Sequence, residues 1–196
     1  MQSELATILI SHHKLPDKWL DNVLKLLPEK INIQIFFVDA GTLLVGKKLV
    51  NIPLVKLVYC AHSHRVLNGP NPLANIEAGG LLDLGKMVGK SDYFLSVPHT
   101  FKPIKAVTKT QKNIGITIDK NSKLAVEALR VATGLAGCNH RVTIFYPKEI
   151  SQLINKSPKT PAEAKLYLEA LTQLGAKLQN VQPSYDSSEC DFIIGI

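Results

Sequence analysis

The sequence predicts an α/β protein made of two units, each a mainly parallel sheet flanked by helices. Two observations carry that prediction. Short runs rich in Ile, Val, Phe and Leu alternate with segments whose apolar residues recur at helical spacing, the signature of strands joined by crossover helices. The whole pattern then restarts after a basic and polar segment, residues 100–111, which reads as a linker between a unit at 1–100 and a unit at 112–196.

In chain order, residues 5–11 read as an apolar strand ending at His12 and His13. Pro16 and Asp17 open a helix whose Leu20, Val23, Leu24 and Leu27 share a face, and Pro28 ends it. Residues 31–38 form a second strand, closed by Asp39, Ala40 and Gly41, and a short apolar segment at 42–49 precedes Pro53. The third strand, 55–59, runs into Cys60. His62, Ser63, His64, Arg65, Asn68, Gly69, Pro70, Asn71 and Pro72 follow, so a loop is expected there. A helix is expected over 76–88, with Leu81, Leu84 and Val88 on one face, and a fourth strand over 93–97 ends at Pro98 and His99.

The second half repeats this order. Strands are expected at 113–118 and 141–146, with a helix over 123–136 between them whose Leu124, Ala128, Val131 and Leu135 share a face. A short helix at 149–154 is followed by a longer one over 161–174, with Thr160 as its cap, Pro161 as its first residue and Gly175 as its stop. Strands at 177–181 and 192–196 complete the half. The ends of the halves match best: SDYFLSV at 91–97 lies against CDFIIGI at 190–196. Only eight residues, 182–189, separate the last two strands of the second half. They leave no room for the loop and helix that follow Cys60, so the second unit reads as a shortened copy without a reactive cysteine.

Composition excludes several classes of function. With 45% hydrophobic and 20% charged residues, the chain is of ordinary globular type. It has no apolar run of the ~18 residues a membrane span needs, and its start, MQSELATILISHHK, lacks a basic region leading into a signal-like core. A cytoplasmic protein without a membrane partner is expected. The net charge of +7 is spread over both halves without an arginine-rich run or interleaved aromatics, so no nucleic-acid partner is expected. Cys60, Cys138 and Cys190 form no Cys-x-x-Cys pair, which suggests neither a disulfide framework nor a thiolate zinc site. The turns ISHHKLPD and TIDKNSKL lack the glycines of a dinucleotide or phosphate loop, and no cofactor is expected.

The candidate chemistry centres on Cys60. Side chains leaving the carboxyl end of a parallel strand are the ones that meet ligands in this class of fold. His12, His13, Asp39 and His99 share that placement, although each reads first as a cap or an exposed polar group. A cation beside a thiol favours the thiolate, the nucleophilic form, and Arg65 is the first choice for that role, with His62 and His64 as further candidates. The bland alternative is an inert buried thiol, the usual fate of an unpaired cysteine. Cys60, His62 and His64 also have the residue types of a soft metal site, and in an extended segment alternation would bring all three to one side. With no fourth ligand in view this is the weaker pattern, and no resident metal is expected.

These residues carry a resemblance to the DsrE/DsrF/TusD family of small sulfur-relay proteins. The matching pattern is a strand ending in Tyr59-Cys60-Ala61, Arg65 with Gly69, Asn71 or Asn75, Gly80-Leu81-Leu82-Asp83-Leu84, and Ser91-Asp92 at the start of the closing strand. Residues 113–147 are similar to the family's amino-terminal strand, helix and strand. Arg65 and Gly69 are not adjacent, Asp92 is followed by Tyr93 rather than Arg, and His62 and His64 lie beside the cysteine, all departures from the pattern. The resemblance implies a tandem chain of two DsrE-like units with a degenerate second unit. It also implies a sulfurtransferase-like carrier that holds sulfane sulfur as a persulfide on Cys60, receives it from a donor protein, passes it to an acceptor protein, and assembles as a homo-oligomer. The competing expectation is a non-catalytic DsrE-like scaffold or binding protein in which Cys60 is incidental and the second unit docks a partner. The exposure of the Cys60 sulfur separates the two.

Overall fold

A computed structural model describes residues 4–15, 18–45, 55–69, 76–97, 104–105, 110–118, 125–146, 161–180 and 190–195. The first half contributes Leu5–Ile10 (β1), Asn32–Phe37 (β2), Val55–Cys60 (β3), Glu77–Gly79 (β4), Tyr93–Val97 (β5) and Ile104–Lys105 (β6). They form one sheet in the order β4-β3-β2-β1-β5-β6, parallel throughout except for β6. Asn113–Thr117 (β7), Arg141–Tyr146 (β8), Lys177–Asn180 (β9) and Phe192–Gly195 (β10) form a second, all-parallel sheet in the order β10-β7-β8-β9. Helices flank both: Trp19–Leu24 (α1), Ala61–Asn68 (α2), Leu81–Lys90 (α3), Ala125–Gly137 (α4) and Pro161–Gln173 (α5). The fold is therefore α/β with parallel sheets flanked by helices. Among the described residues no helix is long and apolar enough to cross a membrane.

The two sheets repeat one topology. In each, the first strand is central, the next two extend to one side, and the last strand returns to the other side, giving β5-β1-β2-β3 and β10-β7-β8-β9. The residues that matched best between the halves do the same work in both. Asp92 donates its backbone N–H to the Leu5 carbonyl at 2.8 Å and accepts the Leu5 N–H on Oδ2 at 2.9 Å. Asp191 does so with Asn113, at 2.7 Å in each direction. A carboxylate ahead of each returning strand thus ties it to the first residue of the central strand, satisfying a backbone donor at the sheet's end.

One face of the first sheet packs on α1, with Ile8, Ile10, Ile35 and Phe37 against Val23 and Leu27. Its other face carries Leu9, Phe36, Val58 and Phe94, and these share a core with α3, α4, α5 and one face of the second sheet. The halves meet along β5 and β10, where the Phe94 and Phe192 rings lie 5.1 Å apart and Ser96 donates to the Gly195 carbonyl at 3.4 Å. They also meet along α3 and α4. A Cβ at Gly134 would overlap Leu81, so glycine permits the close approach of these two helices.

Three local expectations are corrected. The segment after Cys60 is helix α2 rather than a loop, ending at Gly69, whose φ of +88° suits a residue without a Cβ. Its buried side chains, Ser63 and His64, are polar, so no apolar periodicity announces the helix. The helix expected over 76–88 is instead the three-residue strand β4 followed by α3, because backbone pairing with β3 claims Glu77–Gly79. Asp83 fixes the start of α3 by accepting the Gly80 N–H at 2.8 Å. Finally, part of the expected linker pairs antiparallel with β5 as the edge strand β6. The expected helix at 149–154, the cap Thr160, the helix-opening Pro16 and Asp17, Asn71, Asn75 and His99 lie outside the described residues.

Candidate functional site

Cys60 closes β3 and precedes the first residue of α2, so the strand-end placement holds. Its side chain points into the core shared by the two halves, and the residue is only 1% exposed. The cation that reaches it comes from α4: both terminal nitrogens of Arg130 donate to Cys60 Sγ at 3.5 Å. Arg130 Nη2 also donates to Ser63 Oγ at 2.9 Å, one turn along α2 from the cysteine. Glu127 completes the cluster, accepting Arg130 Nε at 2.8 Å and a second, very short bond from Nη2.

The electrostatics follow from this packing. Burial opposes the guanidinium charge, but the hydrogen bond and charge of Glu127, with Cys60 adding to both, outweigh it and raise the Arg130 pKa above its usual value. Glu127 and Arg130 therefore form a buried ion pair, and the positive charge beside the sulfur is already balanced by a carboxylate. Tyr167 on α5 is influenced by the same pair; its hydroxyl donates to Glu163 at 3.1 Å, and burial followed by that bond pushes its pKa up to about 12.

The other expected site residues do not converge on the sulfur. Arg65, the expected cation, is exposed on α2, so the role passes to Arg130. His62 is also exposed, whereas His64 is buried, with its ring 5.0 Å from that of Tyr59 and its Nδ1 3.0 Å from Asn68 Nδ2. At about 100° per residue the helix turns His62 about 200° away from His64, which undoes the alternation expected of an extended segment. Among the described residues no group of three or more His, Cys, Asp or Glu is arranged to hold a metal ion. His12 and His13 are exposed at the end of β1, two strands along the rim from Cys60.

Arg130, Glu127 and Ser63 are absent from the sequence reading of the site. A signal for the first two exists: they are the charged residues of an otherwise apolar and small-residue helix, AVEALRVATGLAG, spaced i,i+3. Charges embedded in such a helix must be paired.

No protein-family model and no curated protein matches the chain. Among solved structures, it is similar to phenylacrylic acid decarboxylase from Aquifex aeolicus, with 8% identity and a TM-score of 0.34 over 97% of this chain and 90% of that one. It is also similar to 1-deoxy-D-xylulose 5-phosphate reductoisomerase from Zymomonas mobilis in complex with NADPH, with 12% identity and a TM-score of 0.32 over 93% of this chain and 40% of that one. At these scores neither likeness carries an argument about what this chain does.

Proposed function

We propose that this chain is a cytoplasmic, DsrE-like binding or scaffold protein that works as a homo-oligomer, with Cys60 a structural thiol and the second unit presenting the partner surface. The observation that carries this reading is the 1% exposure of Cys60. Relay of sulfur between proteins requires one thiol to attack a sulfur on another, and a buried sulfur offers no such approach. Structural cysteines are buried and inert, whereas reactive ones are at least partly exposed.

The second reading is the sulfur carrier, with Cys60 exchanging sulfane sulfur with donor and acceptor proteins. It is favoured by one observation, the pair of guanidinium bonds to Sγ at 3.5 Å. In that reading α2 and α4 must part before a partner's sulfur reaches Cys60.

Incubation with polysulfide followed by intact and peptide mass measurement separates the readings. The binding reading expects Cys60 to gain no sulfur in the native protein and to resist alkylation until the chain is unfolded. A gain of about 32 Da, one sulfur atom, located on the Cys60 peptide and retained in Cys138→Ser and Cys190→Ser, would establish the carrier instead.

A further inference from the structure

The second sheet has a face that the described helices leave open. α4 and α5 both lie on the side of Ile114, Ile116, Val142 and Ile144, within the shared core. Strand register places Asn113 beside Arg141, Gly115 beside Thr143 and Lys177, and Thr117 beside Phe145 and Gln179, and alternation turns these rows to the opposite side.

The repeat relates this face to one in the first sheet. In the first sheet the equivalent positions are Thr7 and Gln34, and they are roofed by α3. Gln34 Nε2 donates to Thr7 Oγ1 at 2.7 Å and to the Met87 carbonyl at 3.2 Å, and Ser91 Oγ donates to the same carbonyl at 2.7 Å. In the second sheet Thr7 corresponds to Gly115, Gln34 to Thr143 and Ser91 to Cys190, as the matching Asp92 and Asp191 contacts fix. Over this position lies a cleft of about 620 Å³, within the usual range for small-molecule sites. Its described lining includes Arg141 and Lys177, the polar Asn113, Thr143 and Gln179, and Cys190. Beneath it, the Phe145 ring and Cys190 Sγ occupy the space beside Gly115, where a Cβ would come 2.8 Å from the ring and 3.1 Å from the sulfur. No carboxylate is among these lining residues: Asp191, next to Cys190, is engaged with the Asn113 N–H.

We propose that this cleft binds a small molecule bearing carboxylate or phosphate groups, held by Arg141 and Lys177 beside Thr143 and Cys190. A guanidinium and an ammonium lining one concave surface raise the local concentration of anions, and Arg can take an oxyanion with two parallel bonds. The inference deepens the binding reading by naming a ligand class. Its test involves Cys190 rather than Cys60, so the two fail separately.

The test uses the full chain carrying Cys138→Ser and the dianionic aromatic disulfide dithiobis(nitrobenzoate). The Cys190 sulfur attacks one sulfur of the reagent, a mixed disulfide forms, and one thionitrobenzoate leaves while the thiol proton passes to solvent. The released thiolate reports the rate, and peptide mass assigns the label. Neutral dithiodipyridine supplies a reference rate that cancels differences in the thiol's own reactivity. The ratio of anionic to neutral rates should fall about tenfold in the Arg141→Gln, Lys177→Gln variant. At matched ionic strength, millimolar pyrophosphate or citrate should slow the anionic reagent in the parent and not in the variant. Protection by pyrophosphate alone assigns the site to phosphates, and protection by citrate alone to carboxylates. Both substituted side chains are solvent-exposed, so the variant retains the fold. An unchanged rate ratio, or protection by neither anion, overturns the proposal.

Discussion

Arg130 of α4 places both of its terminal nitrogens 3.5 Å from the sulfur of Cys60 at the end of β3, so the second half supplies the cation beside the cysteine of the first. The guanidinium is shared with Glu127 and Ser63 and is buried at the contact between the halves. Arg130→Met should destabilise the protein by about 3–5 kcal/mol, because it strands Glu127 as an unpaired buried charge. Replacing both partners, Glu127→Leu with Arg130→Met, should cost less than Arg130→Met alone. Urea unfolding of the two variants checks the order; a double variant that is the less stable of the two would show that the pair itself holds the halves together.

The paired aspartates make a symmetric prediction. Asp92→Ala and Asp191→Ala each remove a carboxylate that accepts the first N–H of a central strand. Each should cost about 1.5–3 kcal/mol, the range for hydrogen bonds to a charged group, and the two losses should be similar. Chemical denaturation of the single variants measures this, and a large effect at only one position would break the equivalence of the halves.

Helix packing between the halves depends on Gly134. Its missing Cβ leaves room for Leu81, and Gly134→Val forces α3 and α4 apart. A loss of about 1–3 kcal/mol is expected from overpacking, accompanied by faster alkylation of Cys60 as the interface loosens. Unchanged stability together with an unchanged Cys60 labelling rate would place the helices farther apart than described.

His140 makes stability depend on pH. Buried between the halves, it accepts the Lys112 N–H on Nδ1 at 3.2 Å, and its Nε2 lies 2.9 Å from the Gly85 carbonyl, an arrangement that suits a neutral ring protonated on Nε2. Burial lowers its pKa; the Gly85 bond opposes this, and the charge of Lys112 adds to the lowering. The unfolded chain therefore takes up this proton at higher pH than the folded one, so the stability contribution is complete above about pH 6.5 and is lost as pH falls below it. Between about pH 7.5 and about pH 5, the parent should lose more stability than His140→Gln. Equal losses in denaturant midpoint would remove His140 as the source.

Much of the architecture is legible in the sequence because burial on a sheet face and on a helix face leaves distinct periods. Runs such as NIQIFF and RVTIFY announce strands, and the apolar face of α3 is marked by Leu84 and Val88. Even the repeat is visible, since Asp92 and Asp191 head strands of similar composition. Short edge strands of two or three residues, such as β4 and β6, leave no such period and escape notice.

By itself the sequence determined two α/β halves, their shared order of elements, and the position of Cys60 at a strand end. Tertiary structure alone decided what surrounds that cysteine. Arg65 lies five positions away in sequence and is turned to solvent by α2, whereas Arg130 is brought in by α4 from the other half. Local spacing fixes direction along one element, but contact between elements depends on how helices dock across sheets. That docking buries Cys60 and brings the Arg130–Glu127 pair of α4 against it, and among the described residues it roofs the first sheet with α3 while a cleft lies over the second.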